Sequence, residues 1–95
     1  MLARGQDNAL LRYGLGVEYL KLKQYEKSIE HLHKAIAHDG NYSAAWKFLG
    51  QALAAANRTQ EAVKAYERGI GIAEEKGDKQ TAREMRVFLK RLRKS

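Results

Sequence analysis

Cysteine and proline are both missing from the 95 residues. Without cysteine there can be no disulfide, no thiolate metal ligand and no thiol nucleophile, and a reducing compartment poses no obstacle. The cytoplasm is the expected location. Without proline, nothing in the chain enforces a helix break. Aromatic side chains are few, with one Trp, two Phe and five Tyr, and no apolar run approaches the roughly 18 residues of a membrane span. The N-terminal MLARGQDNALL lacks the apolar segment and small-residue cleavage site of a secretory leader. These absences point away from a disulfide scaffold, a membrane protein and a secreted one.

What is present is helix chemistry. With 44% hydrophobic and 31% charged residues the chain is globular rather than disordered, and its length suits a single domain spanning 1–95. Ala, Leu, Lys, Glu and Gln, the strong helix formers, dominate. Turn and capping residues interrupt the apolar periodicity at Lys23-Gln24, Asp39-Gly40-Asn41, Asn57-Arg58 and Gly77-Asp78. Five helices are predicted, at 8–22, 24–38, 42–56, 59–76 and 79–94, in an all-α fold.

Sliding the chain against itself by 34 positions places Leu15-Gly16 on Leu49-Gly50, Tyr19 on Leu53, Ile29 on Val63, Leu32 on Tyr66 and Ile36 on Ile70. The second copy reads Trp46-x2-Leu49-Gly50-x2-Leu53 and then Ala62-x3-Tyr66; the first reads Arg12-x2-Leu15-Gly16-x2-Tyr19 and then Ser28-x3-Leu32, followed by Ala35. This period and pattern resemble the tetratricopeptide repeat family. The first copy lacks the tryptophan, and Gly40 and Glu74 stand where the family usually has a closing proline. The resemblance implies a TPR-like superhelix of helical hairpins, with repeat 1 at about 9–42 and repeat 2 at about 43–76. The fifth helix, at about 79–94, would then be a cap.

A glycine inside a helix costs roughly 1 kcal/mol relative to alanine, so the repeated glycine needs a reason. Antiparallel packing of each helix pair supplies one. Small residues belong where two backbones come closest, and Gly16, Gly50, Ala35, Ala62 and Gly69 are expected there. Gly71 has no such explanation in the sequence.

The fifth helix carries Ala82, Met85, Phe88, Leu89 and Leu92 on one stripe and cations around the rest. Residues 1–75 hold 10 Lys and Arg against 9 Asp and Glu, whereas residues 76–95 hold 8 against 2, so the net charge of +7 resides almost wholly in this helix. It reads as an amphipathic lid over the open end of the repeat stack. Its basic face also admits an alternative function, as the contact of a nucleic-acid-binding accessory protein or of an acidic partner. Two repeats are short for this architecture, and a homodimer or a docked partner would supply further burial.

Catalytic groupings are sparse. His31 and His33 point to different sides of a helix, and His38 lies nearly two turns beyond His31, too far for shared metal coordination. Glu74 and Glu75 diverge, and with no strands there is no phosphate loop. No enzyme activity, catalytic residue, metal or cofactor is expected.

The resemblance implies a protein-interaction module that holds a peptide or partner helix against the concave faces of its first helices. Spacing puts Leu10, Tyr13, Val17 and Lys21 on that face, and Ala44, Lys47, Gln51 and Ala55 at the positions 34 later. An extended or helical segment with apolar anchors and one acidic group would suit such a trough. Burial of Tyr13 and Val17 beneath the fifth helix or a second subunit is the competing reading. Some family members grip the acidic tail of heat-shock chaperones with Lys, Arg and Asn side chains on these faces. Here Tyr13, Val17 and Gln51 occupy positions where a lysine and two asparagines would be needed, and Lys47 alone cannot make a carboxylate clamp.

Overall fold

Asn8 opens the first helix: its Oδ1 accepts the Leu11 backbone N–H at 2.9 Å, satisfying one of the donors a helix start leaves unpaired. The structure, a computed structural model, describes residues 7–94, so the leader reading of Met1–Gln6 lies outside the described residues. Five helices follow: α1 Ala9–Lys21, α2 Tyr25–His38, α3 Ser43–Ala55, α4 Thr59–Lys76 and α5 Lys79–Lys94. The last two match the expected spans. In the first three, Asn8, Gln24 and Tyr42 are N-caps, and Leu22 and Ala56 are C-caps rather than helical residues. No helix among the described residues is long and apolar enough to cross a membrane.

One device ends three of the helices. Lys23 (φ 61°), Asn57 (φ 63°) and Gly77 (φ 79°) are left-handed, and the residue after each donates its N–H back five positions, Gln24 to Tyr19, Arg58 to Leu53 and Asp78 to Ala73, at 2.8–2.9 Å. This is the reversal that satisfies the last carbonyls of a helix. Helix α2 ends differently, in extended backbone at Asp39, whose carboxylate accepts the Asn41 N–H at 3.0 Å.

The caps fold α1 back on α2 and α3 back on α4, and α5 packs on α4 and α3. Helices α1, α3 and α5 touch in succession while α2 and α4 do not. They therefore form two layers, consistent with a thickness of 18 Å. Between the layers lie Ile29, Leu32, Leu49, Leu53 and Tyr66, and at the far end Ala73, Ala82, Met85 and Leu89.

The small residues sit where close approach requires them. A Cβ on Gly16 would lie 2.5 Å from Cγ of Leu32, and one on Gly69 would lie 2.6 Å from Cβ of Trp46 and 2.7 Å from Sδ of Met85. At the first of these contacts the buried Ser28 hydroxyl donates to the Gly16 carbonyl at 2.7 Å. Helix α5 also has its apolar side buried, with Ala82 and Met85 almost fully shielded from solvent.

Candidate functional site

The layer of α1, α3 and α5 presents one side of these helices in sequence, and aromatic rings join the first two. Tyr13 of α1 stacks on Tyr42 with ring centroids 4.8 Å apart, and meets Phe48 of α3 edge-on at 5.7 Å. Tyr13 is accordingly half-buried by the α3 segment rather than by the fifth helix. Burial, followed by the neighbouring Tyr13, pushes the Tyr42 phenol above its ordinary pKa.

An ion pair joins the next two helices. Lys47 Nζ of α3 donates to Glu84 Oε1 of α5 at 2.8 Å, and the lysine side chain is only 17% exposed. The same ammonium stands 5.0 Å from the Phe48 ring centroid, within cation–π range. Its hydrogen bond holds the Glu84 carboxyl below the usual carboxylate range. The charge that spacing offered to an acidic group on a partner is thus already matched within the molecule. Farther along, Gln51 and Ala54 of α3, Tyr66 of α4, and Phe88, Arg91 and Leu92 of α5 line a cleft of about 280 Å³.

The remaining residues picked out by spacing are distributed along the same helices. Val17 and Ala44 are half-buried and Ala55 is exposed. Lys21 is exposed and pairs with Glu18 at 3.4 Å. Leu10, 70% exposed, lines a depression of about 620 Å³ with Leu11, Gly14 and Leu15 on α1.

Sequence reasoning overlooked Tyr42, Phe48, Glu84 and Arg91 as neighbours of this face. A simple repeat shift could not find Glu84, because α4 has 18 residues where α2 has 14, and the Lys47–Glu84 contact spans 37 positions rather than 34. The histidines are also separated. His31 accepts from Arg12 and His38 approaches Asp7, while His33 lines a cleft of about 300 Å³ on the other layer, over Trp46.

Helical hairpins stacked in two layers define a repeat solenoid of the kind that serves as a protein–protein interaction module. A family model described as tetratricopeptide repeat matches residues 13–76. The chain belongs to the tetratricopeptide repeat family. It is 49% identical over 92 residues to a TPR repeat-containing protein of Pseudomonas aeruginosa, covering 97% of this chain and 88% of that one. It is also similar to a Bordetella parapertussis protein solved in solution, with a TM-score of 0.87, 41% identity, and coverage of 99% of this chain and 82% of that one. The crystal structure of a tetratricopeptide repeat domain protein from Salinibacter ruber shares the fold, with a TM-score of 0.84 at 23% identity over 92% of this chain and 97% of that one. Proteins of this family are generally interaction modules rather than enzymes.

Proposed function

We propose that this protein is a cytoplasmic module that binds an apolar segment of another protein, as a short helix or an extended stretch, across the trough of α1, α3 and α5. The internal pairing of Lys47 with Glu84 at 2.8 Å is the observation that carries this reading. It cancels the trough's central cation and leaves rings and small side chains, Tyr13, Phe48, Ala44 and Ala55, as the recognition surface. Apolar anchors, rather than a terminal carboxylate, are what such a surface selects.

The test uses peptides selected on the protein from a random library. They should be rich in Leu, Ile, Phe and Met, should bind nearly independently of salt, and should lose at least about tenfold in affinity, or 1.4 kcal/mol, when Ala44 and Ala55 are changed to Arg. Selected peptides that bind the double variant as well as the parent, or that perturb only α2 and α4 resonances, would refute the trough as the site.

A further inference from the structure

The cations of the last helix form a ridge. At 100° per residue, Lys79, Arg83, Arg86, Lys90, Arg93 and Lys94 fall within an arc of about 100° and extend for about 22 Å along the axis. Two of them are tied at one edge to α4, Arg86 to Glu74 and Arg93 to Glu67. The other four, Lys79, Arg83, Lys90 and Lys94, pair with no carboxylate among the described residues and are exposed.

Repeat geometry explains where the ridge sits. At the 37-residue offset of the Lys47–Glu84 contact, the buried Ala45 and Ala52 of α3 correspond to the buried Ala82 and Leu89 of α5. At the same offset Trp46, Leu49 and Leu53 correspond to Arg83, Arg86 and Lys90. The face that α3 turns to its hairpin partner is therefore, in α5, a row of cations. A polar cap alone would serve equally well with mixed charges, and this stretch is of one sign.

From this ridge we infer that the outer face of α5 is a docking site for the phosphate backbone of duplex nucleic acid, independent of base sequence. Charge complementarity selects a polyanion. The absence of rings from the ridge selects a duplex over a single strand, since stacking needs an exposed aromatic and Phe88 is turned inward, 6.1 Å from Tyr66. Val87, 43% exposed, is the one apolar side chain on this side, too little to insert into a lipid surface.

Fluorescence anisotropy with short DNA duplexes of unrelated sequence tests the proposal. All should bind alike, and the affinity should fall roughly a hundredfold between about 50 and 200 mM salt, the response expected of four phosphate contacts. Lys90→Gln alone should lower the salt slope by about one, and changing Lys79, Arg83, Lys90 and Lys94 together to Gln should abolish binding. Ala44→Arg with Ala55→Arg should not weaken duplex binding, so failure of the trough and failure of the ridge are distinguishable. No binding at low salt, binding indifferent to salt or to the fourfold variant, or tighter binding to single strands or to phosphatidylserine vesicles than to duplex would each overturn it.

Discussion

The ring of Tyr66 occupies the space that a side chain on Gly50 would need: a Cβ placed there would lie 2.6 Å from the Tyr66 Cδ1 and Cζ atoms. Tyr66 is 2% exposed and packs with Ala73, Ala82, Met85 and Leu89 in the core, so a side chain on Gly50 would have to displace a packed ring. Gly50→Leu should therefore destabilise the fold by roughly 1–3 kcal/mol through overpacking, a loss of several degrees in melting temperature at least. A variant melting at or above the parent would show that α3 and α4 do not meet at this point.

Gly71 provides the opposite case. It lies inside α4, and a Cβ at this position would meet nothing within 4 Å, so it carries the conformational cost of glycine without a packing return. Gly71→Ala should stabilise the protein by about 0.5–1 kcal/mol. A lower denaturant midpoint in urea, with unchanged slope, would contradict this.

Lys23 and Asn57 stand at the same point of the two hairpins, yet only asparagine tolerates the left-handed region well. Lys23 is exposed and forms none of the ion pairs present among the described residues. Lys23→Gly should therefore raise stability by about 0.5–1 kcal/mol, the left-handed penalty less the added freedom of the unfolded chain. Calorimetry on the single variant decides the matter, and an unchanged or lower melting temperature rejects it.

His31 links stability to pH. Arg12, gripped by Asp7 at 2.6 and 3.0 Å, donates from Nη1 to His31 Nδ1 at 3.0 Å. The imidazole lies parallel to the Tyr19 ring at 5.3 Å. Burial first, and then the Arg12 charge, hold the His31 pKa below 6.5, with Lys34 acting in the same direction and Glu30 and Asp7 against it. The unfolded chain therefore takes up this proton at a higher pH than the folded one, and stability should decline as pH falls below about 6.5. The Asp7 carboxyl, lowered to about 2 chiefly by its hydrogen bond from Arg12, adds a separate loss only as pH falls from about 3.8 towards 2. Melting temperatures between about pH 7 and 5 should fall more steeply for the parent than for His31→Gln. Parallel profiles would show that the Arg12–His31 contact has no such role.

The helices, the 34-residue period and the need for Gly16, Gly50 and Gly69 to be small are legible in the order of the residues. These are consequences of local propensity and of a pattern that repeats along the chain. That order also picks out Tyr13 and Lys47 as residues of one helix side, because side-chain direction follows from helical spacing alone. What those two side chains meet is settled by packing between helices. Lys47 is neutralised by Glu84, and Tyr13 is lodged between Tyr42 and Phe48. The first outcome depends on how far α3 and α5 are offset, which the greater length of α4 and the left-handed cap at Gly77 set together, and the second on how α1 and α3 meet across the first hairpin. An offset between packed helices is the sum of many weak contacts, and no short stretch of sequence encodes it.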